Sequence, residues 1–207
     1  GELEIANELY QETLVIAMEQ QGTNSNIVLQ ILDQYGGFFA ELGEYEMADV
    51  VYEKAYLVST EALGAQDPQT TLRLQTLANN DAELQRYELA EQRLQEAQAT
   101  LVKAVGAEAL PTINVLEDLA QLYQRQGKLR PALEPLEQSY ALRTKVQGPE
   151  ETQTMETKER LAELYRQLGR PDEAEPMFLE VIATAEQLLG IADPLVIDAK
   201  SHLAQLY

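Results

Sequence analysis

The most constraining feature of the sequence is a repeat with a period of 42 residues. Five glycines mark this period: Gly22, Gly64, Gly106, Gly148 and Gly190. The same step relates five alanines, Ala6, Ala48, Ala90, Ala132 and Ala174, and three similar blocks at residues 119–123, 161–165 and 203–207. Self-similarity at a fixed period of this length indicates stacked supersecondary units, because each unit is too small to bury its apolar face alone.

Each period contains the pattern of two helices. Apolar residues recur three and four positions apart with few β-branched alternations, which predicts amphipathic helices rather than strands. The clearest unit has a first helix from about Thr152 to Leu168, and Pro171 lies in the first turn of the next helix. Asp67-Pro68 and Asp193-Pro194 predict helix starts with an N-cap acid before a first-turn proline. The pattern therefore predicts an all-α protein of antiparallel helix pairs.

The period divides the chain into a single array. We expect residues 1–22 to be the second helix of a partial repeat, residues 23–64, 65–106, 107–148 and 149–190 to be four full repeats, and residues 191–207 to be the first helix of a further repeat. Natural arrays close their ends with polar capping repeats. Because this array starts and stops within a unit, we expect the chain to be a segment of a longer protein.

The chain is strongly acidic, since 35 Asp and Glu residues against 15 Lys and Arg residues give a formal net charge of −20. Such a surface repels nucleic acid phosphates and anionic lipid. We therefore expect no nucleic acid partner, no membrane partner, and a protein or peptide partner that is neutral or basic. The acids are dispersed along the chain, and solvated outer helix faces account for most of them.

Residues suited to catalysis are scarce. The chain has no cysteine and a single histidine, His202, and its carboxylates are spread along helix faces instead of being paired with a base or grouped as metal ligands. We expect no enzyme activity, no cofactor and no metal site. The sequence does not determine the cellular compartment of the protein, and the cytoplasm is favoured.

Residues 161–178, LAELYRQLGRPDEAEPMF, resemble a tetratricopeptide repeat, with its small residue, tyrosine, glycine, alanine and aromatic residue in order. The period is longer than the ordinary length of about 34 residues. With Leu63-Gly64 followed by Asp67-Pro68-Gln69-Thr70, it resembles the variant found in kinesin light chains and many bacterial proteins. The resemblance implies a right-handed α-solenoid, the tetratricopeptide repeat superhelix, whose first helices line a concave groove that binds protein partners.

The resemblance places one polar face of each first helix in that groove. Chaperone adaptors of this family clamp a terminal carboxylate there with Lys, Arg and Asn, and kinesin light chains share paired asparagines, but this chain has neither set. Its acids favour a basic or amphipathic segment, and a solvated face without a ligand is the alternative. The candidate partner-binding residues are Asp33, Gln34, Gly37, Gln75, Thr76, Asn79, Asn114, Glu117, Asp118, Gln121, Glu156, Glu159, Arg160, Glu163, Asp198 and His202.

One unit departs from the pattern of the others. Asp81 and Gln85 stand where the sibling helices carry an aromatic residue and a glycine. A carboxylate in an aromatic position must find a hydrogen-bond partner, reach solvent or raise its pKa. We therefore expect a looser or locally rotated helix near residues 79–86, either as drift in a tolerant array or as a hinge.

Two further details of the pattern carry expectations. Gly36 and Gly37 interrupt a helix at a cost of about 1 kcal/mol each relative to alanine. Either Gly37 forms a shallow pocket on the groove face, or the glycines allow tight packing against the neighbouring helix. Tyr123, Tyr165 and Tyr207 recur once per period, which predicts core residues and not stacking platforms for bases.

Together these features predict a protein-protein interaction scaffold that holds a peptide or helix of its partner in the concave groove and performs no chemistry itself. The alternative is a structural or regulatory arm of a larger protein. Such an arm would act by self-association through its uncapped ends or by intramolecular docking.

Overall fold

All regular secondary structure in the computed structural model, which describes residues 2–207, is helical. The all-α fold class predicted from the sequence is therefore confirmed. The helices of the described residues are α1 (Glu2–Gln21), α2 (Asn26–Glu41), α3 (Tyr45–Leu63), α4 (Pro68–Glu83), α5 (Tyr87–Ala104), α6 (Leu110–Arg125), α7 (Leu129–Val146), α8 (Thr152–Gln167), α9 (Pro171–Leu188) and α10 (Pro194–Leu206).

The helices form two compact units, one ending at Ala107 and the other running from Glu108 to Tyr207. In the first unit each of α1 to α4 packs against the helix that follows it, and in the second unit each of α6 to α9 does so. Helix α10 also contacts α8. Because short turns join helices that pack together, consecutive helices within each unit run antiparallel. The grouping of the ten helices into one array with the boundaries given above stays a prediction.

Local sequence explains where the helices begin and end. Asp67 Oδ1 accepts a hydrogen bond from the backbone N–H of Gln69 at 2.8 Å, and Asp193 does the same for Leu195 at 3.0 Å, each before a first-turn proline. The five periodic glycines all have φ between 86° and 98° at helix exits. Glycine adopts this conformation at little steric cost. The glycines that repeat every 42 residues therefore mark positions where helices end.

Four alanines of the 42-residue register are core residues. Ala48, Ala90, Ala132 and Ala174 are all completely buried. Larger side chains fill the space beside them, such as Phe178 of α9, which packs with Met155 and Ala162 of α8. Burying such side chains on one stripe per helix supplies the main stabilisation of each pair.

The prediction that Tyr123, Tyr165 and Tyr207 are core residues is wrong for Tyr207, whereas Tyr123 and Tyr165 pack against the edge of the core. Tyr123 and Tyr165 are half-buried and Tyr207 is 82% exposed. The hydroxyl explains the difference, because a phenol needs a polar partner at its end. Tyr165 donates a hydrogen bond to Glu137 at 2.5 Å, and Tyr207 donates one to Glu175.

The helix that carries Asp81 is not shortened, so the looser helix expected there is not found, and a local rotation stays a prediction. Helix α4 has 16 residues and ends at Glu83, as regular as α2, α6 and α8. Asp81 is completely buried and pairs with Arg93 of α5 and, at 3.5 Å, with Arg86. These cations replace the aromatic packing, although burial still raises the pKa of Asp81. A hinge in this unit stays a prediction.

Helix α2 runs through Gly36 and Gly37 without interruption, contrary to the sequence interpretation. Gly36 is buried under the ring of Tyr52 from α3, and a methyl group on it would lie 2.5 Å from Tyr52 Cδ1. A methyl group on Gly37 would meet only the Tyr52 hydroxyl, at 4.0 Å. Tight packing therefore explains Gly36 and leaves space at Gly37.

Candidate functional site

The candidate residues lie on alternate helices, α2, α4, α6, α8 and α10, which we call the first helices. The other helices are the second helices of the pairs. Within each compact unit, the structure brings neighbouring first helices into direct polar contact through these residues. Their geometry decides which of them is available to a partner.

Asp33 joins α2 to α4 in the first unit. Its carboxylate accepts hydrogen bonds from Arg73 at 3.1 and 2.7 Å in a bidentate arrangement. The Arg73 guanidinium also donates to Ser59 Oγ and to the backbone oxygen of Gln69, both at 3.3 Å. Asp33 is therefore already neutralised by the chain, and Arg73 is a residue that the sequence interpretation missed.

Two cavities flank Tyr52 beside this ion pair. The first has a volume of about 340 Å³ and is lined by Asp33, Tyr52, Gln69, Leu72, Arg73 and Thr76. The second, which we call the Tyr52 pocket, has a volume of about 390 Å³ and is lined by Ala40, Glu41, Tyr45, Tyr52, Thr76, Asn79, Asn80 and Glu83.

Candidate residues contribute to both cavities. Thr76 lines both, Asp33 lines the first and Asn79 lines the second. Burial raises the pKa of the Tyr52 hydroxyl, and the charges of Asp33 and Glu41 raise it further. The phenol that separates the cavities is therefore neutral and lies in a negative electrostatic potential.

The remaining candidates of the first unit lie nearby. Gln34 is exposed and lines a third cavity of about 370 Å³, whose wall is formed by α1 and α2 side chains including Leu9, Tyr10 and Ile31. Gln75 and Gly37 are half-buried. The lining of this third cavity is more apolar than that of the two cavities around Tyr52, so it differs from them in character.

Glu117 of α6 is held from three sides in the second unit. It accepts hydrogen bonds from Arg143 Nε at 2.5 Å, Ser139 Oγ at 2.6 Å and Thr157 Oγ1 at 2.9 Å. Burial alone would raise the pKa of Glu117, but these hydrogen bonds and the Arg143 charge together hold it below the usual value. Glu117 is thus a fixed anion that joins α6, α7 and α8.

Arg143 is the buried centre of this network, with only 3% of its surface exposed. It also donates to Asn114 Oδ1 at 2.7 Å and to Gln147 and Gln153, both at 2.9 Å. The sequence contained a signal for it, since its equivalents in the 42-residue register are Ser59, Leu101 and Ala185, all buried. An arginine among such residues must have a carboxylate partner inside the protein.

Glu159 of α8 is 8% exposed, and its Oε1 lies 2.6 Å from Nδ1 of His202 on α10. Burial raises the pKa of Glu159, and the hydrogen bond from His202 offsets this only in part. Glu163 accepts two hydrogen bonds from Arg166 and one from Gln167, all at 2.7 Å, which hold its pKa below the usual value against burial. His202 is therefore a partner for a buried carboxylate.

A cavity of about 300 Å³ lies between α8 and α10 in the second unit. Four candidate residues line it, Glu156, Glu159, Arg160 and Asp198, together with Pro194 and Leu195. Glu156 and Asp198 are exposed. Of the other candidates, Asn114 and Gln121 are exposed and Asp118 is half-buried on α6.

Among residues 4–207, whose side chains the structure describes, no three or more His, Cys, Asp and Glu side chains are grouped so that they would hold a metal ion. In the described part of the chain, no helix has the length and apolar character needed to span a bilayer.

Comparison with known families identifies the repeat. Models described as tetratricopeptide repeat match residues 27–101 and 70–145, more than half of the chain, and a second such model matches residues 154–195. The chain therefore belongs to the tetratricopeptide repeat family, whose fold serves protein-protein interaction. None of the curated proteins matches the chain in sequence.

Solved structures show the same fold at low sequence identity. A kinesin light chain-type protein of Podosopora anserina with nearly identical TPR-like repeats is 20% identical, with a TM-score of 0.75 over 91% of this chain and 89% of the other. BtubC (BKLC) of P. vanneervenii is 18% identical, with a TM-score of 0.81 over 99% and 81% of the two chains. MamA is 16% identical, with a TM-score of 0.58 over 87% and 86%.

These likenesses support the kinesin light chain-like type of repeat that the 42-residue period predicts. At such identities they describe the fold alone. The binding properties of the chain must therefore be argued from its own residues.

Proposed function

We propose that the chain is a scaffold that binds a peptide or helix of a partner protein along its first helices, and that the partner segment is neutral or basic. The observation that carries the proposal is the position of the cavities. Those beside Tyr52 lie along α2 and α4, and another lies between α8 and α10. Each is lined by residues that the sequence assigns to a binding face.

The size and lining of the cavities fit side chains of a bound segment. Volumes of about 300 to 390 Å³ lie at the lower end of the range for ligand pockets. Exposed Leu72 and the Tyr52 ring offer apolar surface beside polar groups. Anchors of this mixed kind dominate the energetics of peptide recognition.

Selection from a random peptide library displayed on phage tests the proposal, followed by fluorescence anisotropy with the selected peptides. Thr76→Trp obstructs both cavities beside Tyr52, because Thr76 is exposed and lines each of them. We expect at least one selected class to lose about tenfold or more in affinity, the loss typical of a binding hot spot.

Thr23→Trp is the matched control, since Thr23 is an exposed residue between α1 and α2 that lines neither cavity. It should leave binding unchanged. The proposal fails if the library yields no specific peptide, or if every selected peptide binds both variants as tightly as the unmodified chain.

A second candidate function, self-association as a structural or regulatory arm, is favoured by an apolar stripe on α1. Ile5, Leu9 and Ile16 lie on one side of this helix and are 58%, 58% and 46% exposed. Light scattering across a concentration series tests it. Dimers that Leu9→Asp abolishes and Val50→Asp leaves intact would support this function, and a monomer at every concentration would exclude it for the isolated chain.

A further inference from the structure

Tyr52 departs from its equivalents in the other pairs. The residues at 42-residue steps after it, Leu94, Leu136 and Phe178, are at most 1% exposed, whereas Tyr10, one step before it on α1, is a partly buried tyrosine that lines another cavity. Tyr52 is instead half-buried and lines two cavities. In this pair of helices, a position that belongs to the core in the three following pairs therefore lines a surface pocket.

Gly36 makes this arrangement of the tyrosine possible. Its equivalents in α4, α6 and α8 are Ala78, Ala120 and Ala162, which are all completely buried, whereas the equivalent in α10, Ala204, is exposed. A methyl group at Gly36 would overlap the Tyr52 ring, so the ring lies directly against the backbone of α2. The glycine and the tyrosine therefore form a matched pair that replaces the alanine and core residue found in the three helix pairs that follow.

The lining of the Tyr52 pocket is rich in hydrogen-bond acceptors. It includes the carboxylates of Glu41 and Glu83, and none of its lining residues is a cation. The nearest guanidinium on α4, that of Arg73, is already occupied by Asp33, Ser59 and Gln69. The pocket is therefore electrostatically suited to a positive group.

Asn80 provides an independent sign that a donor is missing. It is 4% exposed, and its Nδ2 donates a hydrogen bond to the backbone oxygen of Tyr45 at 3.0 Å. This bond fixes the orientation of the amide, because only the nitrogen can donate to a carbonyl. The other end, Oδ1, is buried and has no hydrogen-bond partner among the described residues. A buried acceptor in this state is unfavourable until a donor reaches it.

We propose that the Tyr52 pocket binds the guanidinium of an arginine side chain from a partner peptide. The inference rests on the proposed scaffold function and names the chemistry of one anchor of its partner. The guanidinium pairs with the carboxylate of Glu41 and donates to Asn80 Oδ1, and its planar face stacks on the Tyr52 ring.

Arginine fits this set of groups better than other cations do. Its planar guanidinium carries five N–H donors and can stack on an aromatic face while donating sideways. Lysine offers a compact, strongly hydrated charge that does not stack in this way. A metal ion is a poor alternative, because no group of three or more metal-ligating side chains occurs among residues 4–207.

A titration monitored by NMR tests the proposal directly. The probes are the blocked amino acids N-acetyl-arginine methylamide and N-acetyl-citrulline methylamide, which share shape but differ in charge. We expect arginine to bind about five- to tenfold more tightly than citrulline, as one additional charge-assisted contact allows. Shifts should concentrate at Tyr52 and at the side-chain amide of Asn80. Binding of arginine no tighter than that of citrulline overturns the proposal, and so does equal binding of the lysine amide.

Two variants show whether the binding belongs to this pocket. Glu41→Gln should remove most of the preference for arginine, whereas Glu53→Gln, the same change at an exposed glutamate of α3 outside the pocket, should keep it. The double variant Gly36→Ala/Tyr52→Leu restores the pairing present at Ala78 and Leu94 and should fold normally, as judged by circular dichroism, without binding arginine. Retention of the preference in Glu41→Gln or in the folded double variant overturns the proposal.

The two proposals can fail separately. If library peptides bind, and Thr76→Trp blocks them, but neither the peptides nor the amino acid amide shows a preference for arginine, the scaffold function stands and the arginine pocket is wrong. If the library yields no peptide, the scaffold function fails, and the amide titration still decides whether the pocket recognises a guanidinium.

Discussion

Glu117 in the second unit and the Tyr52 pocket in the first unit both place acidic groups on first helices, but they use their acceptors differently. Three side chains donate to the Glu117 carboxylate, and one of them is the buried Arg143. The Tyr52 pocket is lined by the carboxylate of Glu41 and by Asn80, whose Oδ1 has no hydrogen-bond partner among the described residues, and no cation lines it. The number of acids on a face therefore says little about its affinity for a basic partner, because what matters is whether the chain already supplies the donors.

This difference changes which residues can test binding. The sequence points to Glu117 and Glu159 as groove acids whose charge reversal should reduce partner binding. Both are paired within the protein, Glu117 with Arg143 and Glu159 with His202. Reversing either charge would alter folding before it altered recognition. Exposed positions such as Thr76, Glu156 and Asp198 are better suited to binding experiments.

The largest effect is expected when the saturated network is broken. Glu117→Ala leaves Arg143, which is 3% exposed, without its carboxylate partner. Removing one member of a buried ion pair destabilises by about 3 to 5 kcal/mol. We expect a loss of stability near the lower end of this range, because Asn114, Gln147 and Gln153 continue to accept hydrogen bonds from Arg143. Urea denaturation followed by circular dichroism measures it.

Glu156→Ala is the control for this prediction, since Glu156 is an exposed glutamate of α8 in the same unit. Its effect should stay within about 0.5 kcal/mol, as for most surface substitutions. Equal midpoints for the two variants would mean that the Glu117 network contributes no stability beyond that of a surface charge.

The next largest effect is expected in the first unit at Gly36. Gly36→Ala forces the Tyr52 ring away from α2, and overpacking of this kind costs about 1 to 3 kcal/mol. Gly37→Ala, one residue further, meets open space and should stabilise α2 by up to about 1 kcal/mol through helix propensity. Thermal unfolding of the two variants separates these effects. A Gly36→Ala variant as stable as Gly37→Ala would show that the ring has room to move.

Helix positions and turns could be predicted from the sequence because they depend on local chemistry. Asp67 and Asp193 cap helices from one residue before the proline, and the periodic glycines need only their own φ. The helix bounds of the clearest unit were predicted to within a residue, with α8 running from Thr152 to Gln167.

The partners of the acids could not be predicted in the same way. Glu117 and Arg143 are 26 residues apart and meet only because α7 packs against α6. The sequence carried a usable signal in the register, where Arg143 replaces small or apolar residues and where Gly36 and Tyr52 depart together from their equivalents in the three pairs that follow. Comparing the residues at each position of the 42-residue repeat across all helix pairs would have identified both departures. Considering the face of each helix separately identified neither of them.

A smaller effect is expected at the exit of α4, where a residue with a side chain occupies a position that is glycine at the ends of α2, α6 and α8. Gln85 has a φ of 59°, and it is the only non-glycine residue with positive φ in the described part of the chain. Its equivalents Gly43, Gly127 and Gly169 adopt the same conformation with φ of 69° to 76°. Gln85→Gly should therefore raise the free energy of unfolding by about 1 kcal/mol. Gln92→Gly within α5 is the control and should lower it by a similar amount.

The smallest effect is expected in the pH dependence of stability, because two buried carboxylates act in opposite directions. The pKa of Glu117 is lowered in the folded state, so its contribution is present above the unfolded value near pH 4.5 and is lost as the pH falls through the folded pKa. The pKa of Asp81 is raised above 3.8, so the folded state binds the proton more tightly and stability falls as the pH rises through that window. In the unmodified chain these slopes partly cancel. Urea midpoints measured from pH 3 to pH 7 should therefore rise more steeply with pH for Asp81→Asn than for the unmodified chain, and less steeply for Glu117→Gln. Identical slopes for all three proteins would contradict the assignment of opposite protonation behaviour to these two buried acids.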